Sequence, residues 1–149
     1  MYQKAVESIA HTHSTSLGVS DNGNTGFGTV VYAYKPGDGS AREQAVSCQK
    51  ILGTWANIAK EYATKRYLSN LINWGVVPFL YKDELVASEG DYIYIKDIKT
   101  AINNKKDEVS AFIIRKDKSV SEIKLGLAPL SDADRQIIDD GCLINNYRR

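Results

Sequence analysis

Short β-branched runs alternate with stretches whose apolar residues fall at helical spacing. Thr29-Val30-Val31-Tyr32-Ala33-Tyr34 reads as a buried strand. The glycine-rich turn Lys35-Pro36-Gly37-Asp38-Gly39-Ser40 follows. Ala41, Ala45, Cys48 and Leu52, with Val46 beside them, then predict a helix from Ala41 to Leu52, ended by Gly53 and carrying Cys48 on its inner face. Thr54 to Lys60 predicts a second strand. Tyr67, Leu68, Leu71 and Ile72 mark one face of a second helix closed by Gly75, and Val76 to Tyr81 forms a third strand. Pro78 in that strand points to a sheet edge or a bend. The order strand–helix–strand–helix–strand predicts βαβ crossovers and a largely parallel sheet.

The second half is richer in strands. Tyr92-Ile93-Tyr94-Ile95 is a short strand, and Asp97 is placed to cap a helix carrying Ile98, Ala101 and Ile102. Val109, Ala111 and Ile113 alternate, as do Ile123, Leu125 and Leu127. The polar run Lys116-Asp117-Lys118-Ser119 between them predicts a hairpin. Ser131-Asp132-Ala133-Asp134 opens a last helix in capping-box fashion, with Ile137 and Ile138 inside it and Gly141 after it. The expected fold is α/β, three-layered, with a mainly parallel sheet flanked by helices and a β-rich second half. Residues 1–27 carry Gly/Asn/Ser/Thr loop signals and read as a leader or connection; residues 28–149 read as one domain.

Composition narrows the function classes. The chain has 149 residues, 43% hydrophobic and 25% charged, ordinary values for one globular domain. Nineteen basic against eighteen acidic residues leave a net charge of +1, which gives no field for capturing nucleic acid or an acidic membrane. Cys48 and Cys142 are far apart and no Cys-x-x-Cys occurs, so zinc ribbons, redox dithiols and a complete iron–sulfur ligand set are absent. Both cysteines are expected as buried thiols in a reducing compartment. No apolar run approaches ~18 residues and no secretory signal is visible, so a cytoplasmic protein is expected.

The segment that carries chemistry is Gly37-Asp38-Gly39-Ser40-Ala41-Arg42-Glu43-Gln44. It lies between a strand and a helix, at the strand's carboxyl end, where ligands bind in open α/β sheets. The start of a helix offers free N–H groups and a positive dipole end to an anion. Ser40 is a natural N-cap, and Arg42 in the first turn suits a carboxylate, which its guanidinium grips with two bonds. Neither a Walker A loop nor a dinucleotide fingerprint is present. By themselves these residues fit a capped structural helix better than a ligand site.

Gly39-Ser40-Ala41-Arg42-Glu43-Gln44-Ala45 resembles the Gly-Ser-Ser-Arg-Glu-His-Ala signature of the aconitase and isopropylmalate isomerase superfamily, in its C-terminal swivel domain. Ile58-Ala59-Lys60-Glu61-Tyr62-Ala63 resembles that family's Ile-Ala-Lys-Ser-Phe-Ala stretch, and Asn70-Leu71-Ile72-Asn73-Trp74-Gly75-Val76-Val77-Pro78 its Asn-Leu-Ile-Asn-Trp-Gly-Ile-Leu-Pro stretch. The resemblance implies an aconitase-like hydro-lyase, or hydratase, that dehydrates and rehydrates a hydroxy di- or tricarboxylic acid. It implies that Ser40 is the catalytic base and that Arg42 binds a substrate carboxylate, with Gly39 and Ala41 flanking them at the substrate. The family's second motif serine is Ala41 here and its histidine is Gln44, which leaves citrate and related hydroxy-acids both open.

The same resemblance implies a [4Fe–4S] cluster held by a separate cluster-binding domain or large subunit, since two cysteines cannot supply its ligands. The chain alone is then incomplete and inert. Alternatives are the small subunit of an isopropylmalate- or homocitrate-type isomerase, or a non-catalytic anion-binding module in which Ser40 is only a cap. The His11-x-His13 pair reads as solvent-exposed rather than metal-binding, Asn70, Asn73 and Trp74 as structural, and Arg66 as either solvent-facing or reaching the cleft.

Overall fold

The computed structural model describes residues 26–148; His11, His13, the loop signals up to Thr25 and most of the expected leader lie outside the described residues. The elements run β1 (Thr29–Ala33), α1 (Arg42–Ile51), β2 (Thr54–Ala59), α2 (Lys65–Asn73), β3 (Val77–Leu80), β4 (Tyr92–Ile95), α3 (Ile98–Asn103), β5 (Glu108–Ile114), β6 (Val120–Leu127), α4 (Asp132–Asp139) and α5 (Leu143–Asn146). This is a mixed α/β fold on one six-stranded sheet of order β1-β2-β3-β6-β5-β4. The short α5 was not expected from the sequence.

The sheet is mixed rather than mainly parallel. β1 pairs β2 and β2 pairs β3 in parallel, through the α1 and α2 crossovers. The β3–β6, β5–β6 and β4–β5 pairings are antiparallel. Of these only β5–β6 is a direct hairpin, the connection that antiparallel neighbours allow; β4 and β5 are joined through α3, and β3 and β6 are neighbours in the sheet but not consecutive in the chain.

Pro78 is also corrected. It is buried in β3, an interior strand between β2 and β6. Its carbonyl accepts from the N–H of Ala128 at 3.1 Å, and β6 ends one residue earlier at Leu127. Pro78 thus lies opposite Ala128, one residue past the end of β6, and an interior strand tolerates the proline at this terminal position of the pairing.

Helix boundaries follow local chemistry. The Thr64 hydroxyl accepts from the N–H of Tyr67 at the start of α2. Ser131 and Asp134 form the reciprocal capping box of α4. Asp97 stands at the head of α3 with φ 51° and no side-chain cap bond, so its expected cap is absent; the left-handed backbone turns its carboxyl away from the helix N–H groups. Gly53 and Gly75 end α1 and α2 at φ 87° and 64°. A Cβ on Gly75 would run into the carbonyl of Gly141, so this glycine also lets the ends of α2 and α4 meet.

The main core gathers Ile58, Ile72, Phe79, Ile102, Ala111, Leu125 and Ile138. A second cluster joins Val46, Tyr67, Leu71 and Val76. Val46 is the one buried residue of α1, and this corrects the expected inner face. Ala41, Ala45 and Cys48 are exposed, and Leu52 is 77% exposed. With Val30, Tyr32, Tyr34, Ile51 and Trp55 they leave much of the apolar surface around edge strand β1 and the outer side of α1 open to solvent.

Candidate functional site

Two loops at the carboxyl ends of the parallel strands β1 and β2 lie side by side. The N–H groups of Lys60 and Glu61 donate to the carbonyl of Tyr34, each at 3.2 Å, and Ala63 donates to Pro36 at 3.0 Å. Lys35 and Glu61 add an exposed ion pair at 2.9 Å, and Lys60 Nζ lies 4.8 Å from the centroid of the Tyr34 ring. This zipper brings the starts of α1 and α2 together.

Gly37 ties the loops to the helices. Its φ is 99°, and a Cβ there would run into Tyr67 of α2, so the position needs glycine for conformation and for space. Its carbonyl accepts from Arg42 Nε at 3.2 Å and from the Thr64 hydroxyl at 3.0 Å. Arg42 is thereby anchored through one nitrogen. Among the described residues the other two guanidinium nitrogens have no hydrogen-bond or carboxylate partner, and they remain free for a ligand.

Ser40 does not cap α1. The N-cap position is Ala41, with φ −87° and no side-chain cap bond. Ser40 stands one residue earlier, exposed, and its hydroxyl has no partner among the described residues. The capped-helix reading of the motif is corrected by this displacement: Ala41 already supplies the first helical carbonyl, to Ala45 N–H at 3.0 Å, so the serine is not spent on the helix.

Ser40, Arg42, Glu43 and Gln44 from the α1 side and Lys65, Arg66, Ser69 and Asn70 from α2 line one open depression of about 470 Å³. It holds three cationic side chains against one carboxylate, a balance suited to an anion. Gly39 and Ala41 flank Ser40 in the chain but do not line it, and a Cβ on Gly39 would meet nothing within 4 Å. Gln44 does line it.

From sequence, Lys65 and Ser69 were not considered, Asn70 was read as structural and Arg66 was left between solvent and cleft; all four line the depression. The available signal was the pair Lys65-Arg66 directly after the Thr64 cap, since cations in a first turn oppose the helix dipole. Trp74 instead packs against the second apolar cluster.

Behind the site the fold holds a buried polar chain. Tyr62 Oη donates to the carbonyls of Asn57 (2.9 Å) and Phe79 (3.1 Å). Burial pushes the Tyr62 phenol well above its ordinary range, with the neighbouring Tyr67 adding to the shift and the Phe79 bond opposing it. Gln49 Nε2 reaches Tyr67 Oη at 3.5 Å.

Among the described residues no group of three or more His, Cys, Asp or Glu side chains could hold a metal ion. Cys48 is exposed and Cys142 half-buried. Two separate thiols do not make a [4Fe–4S] ligand set, so these residues by themselves do not fit such a cluster. Among the described residues no helix is long and apolar enough to cross a membrane. No protein-family model matches the chain, and no curated protein matches it.

Proposed function

We propose that the chain is the swivel domain of an aconitase-like hydro-lyase acting on a hydroxy di- or tricarboxylic acid. The observation that carries this reading is the shared depression of Ser40 and Arg42, with the serine hydroxyl free of any capping duty. Arg42 binds a substrate carboxylate through the nitrogens not held by Gly37. Ser40 takes the proton from the carbon beside a carboxylate as the neighbouring hydroxyl departs, and returns it on rehydration. A serine hydroxyl is a weak base, and its alkoxide needs positive surroundings; the start of α1 and the three cations of the lining supply them.

The depression is open, and in this reading a partner domain or large subunit completes it and holds the iron–sulfur cluster that the resemblance implies. The three-layer arrangement typical of swivel domains and a cytoplasmic location belong to the same proposal.

The test is to purify the chain anaerobically from its source with whatever polypeptide co-purifies, and to assay a panel of hydroxy-acids for conversion to the unsaturated acid. The reading expects conversion of at least one di- or tricarboxylate, abolished by Ser40→Ala. Conversion unaffected by that substitution would contradict it.

A further inference from the structure

Arg66 and Lys65 occupy the first turn of α2, exposed, with no acidic partner for either side chain among the described residues. Neither is needed to hold the helix, since Thr64 supplies the cap and no carboxylate stands in that turn to be neutralised. Both line the depression with Ser40 and Arg42, and the α2 start that carries them is joined to Arg42 through the Gly37 carbonyl, which accepts from Arg42 Nε and the Thr64 hydroxyl. Glu43 is the one acid in the lining, and it pairs with none of the three cations. The lining therefore carries more positive charge than its own side chains neutralise.

We infer that Arg66, with Lys65 beside it, binds a second carboxylate of the ligand whose first carboxylate is held by Arg42. The inference rests on the carboxylate-binding role of Arg42 proposed above. The two arginines sit on separate helices, and the Arg42 Nε and Thr64 bonds to one carbonyl fix the two helix starts relative to each other. A monocarboxylate engages one arginine at a time. A di- or tricarboxylate engages both, and its second contact forms at high effective concentration once the first is made. The volume of about 470 Å³ lies in the range of small-molecule sites, ~300–1,000 Å³. Arg66 carries the contact more than Lys65, because a planar guanidinium meets a carboxylate with two parallel bonds and an ammonium does not. Sequence position alone left Arg66 undecided between solvent and cleft; its place in the lining makes it a specificity residue that favours polycarboxylates.

The test titrates the ¹⁵N-labelled 149-residue chain with citrate and, separately, acetate, following amide shifts of α1 and α2. Arg66→Gln, an exposed substitution that leaves the core intact, is expected to weaken citrate binding about 10-fold or more, the size of one lost charge-assisted contact, and to leave acetate binding within about twofold. Arg42→Lys weakens both ligands. Lys124→Gln, a cation far from the depression in β6, is the control for net charge and leaves both unchanged. Citrate binding that survives Arg66→Gln but falls with Arg42→Lys would overturn the second-carboxylate assignment and leave the role of Arg42 standing. Equal loss in Lys124→Gln would overturn it as unspecific charge attraction. Absence of citrate binding, or binding indifferent to both arginines, would overturn this inference together with the carboxylate role of Arg42.

Discussion

The hydroxyl of Thr64 donates to the carbonyl of Gly37 at 3.0 Å and accepts from the N–H of Tyr67 at 3.2 Å. One side chain thus caps α2 and fastens it to the loop that carries Ser40. Thr64→Val removes both bonds and is expected to destabilise the domain by about 2 kcal/mol, the sum of a lost cap and one lost hydrogen bond to a carbonyl that Arg42 still partners. Thr64→Ser keeps the oxygen and stays close to wild type. Urea midpoints at unchanged m-value measure the difference; equal stability of the valine variant would show that the tie contributes nothing.

Gly37 and Gly39 lie two residues apart and have opposite requirements. Gly37→Ala meets both a left-handed backbone and the Tyr67 ring, so it is expected to cost about 2–4 kcal/mol. Gly39 has open space and no positive φ, and Gly39→Ala is expected to stay within ~0.5 kcal/mol of wild type. Thermal or chemical denaturation of the two variants decides it; similar losses in both would contradict the assignment of the constraint to Gly37.

The buried Tyr62 phenol gives stability an alkaline limit. In the unfolded chain a tyrosine ionises near ~10, while burial keeps Tyr62 protonated above that in the fold. Over that window the unfolded state binds fewer protons than the native state, so stability falls as pH rises beyond about 10 and is at its full value below it. Tyr62→Phe loses the bonds to Asn57 and Phe79, at a cost of about 1–2 kcal/mol at neutral pH, and also loses this part of the alkaline decline. Denaturation of the pair across the alkaline range is the check; a constant gap between them would remove the role of Tyr62 ionisation.

Cys48 stands on the exposed side of α1. In the native chain it is expected to react with a thiol reagent without unfolding, ahead of the half-buried Cys142. Protection of Cys48 in the isolated, native chain would contradict the exposed face of α1.

Much of the fold was legible in the sequence because the signals were local. Strand alternation in β5 and β6, the Ser131 capping box and the glycine stops after α1 and α2 all act within a few residues. The parallel half could be read because its crossovers are helical. What escaped reading depended on distant partners. The tolerance of Pro78 follows from where β6 ends, and the free hydroxyl of Ser40 from which residue begins α1. Cys48 and Leu52 carry a core-like spacing on a surface this domain leaves open.

In the candidate site, Ser40 and Arg42 were legible through motif resemblance, and the structure brings them to one depression. Lys65, Arg66, Ser69 and Asn70 join them only because the Tyr34–Lys60 and Pro36–Ala63 bonds set two loops side by side. No spacing along the chain encodes that pairing.

The most direct measurement of the central claim is solvent isotope exchange. The chain, with whatever polypeptide co-purifies with it, is incubated in D₂O with the proposed hydroxy-acid substrates, and deuterium is followed into the carbon beside the carboxylate by NMR. With Ser40 as the base, wild type incorporates deuterium at that carbon and Ser40→Ala incorporates none while still binding the acid. Exchange continuing in Ser40→Ala at the wild-type rate would show that another group takes the proton.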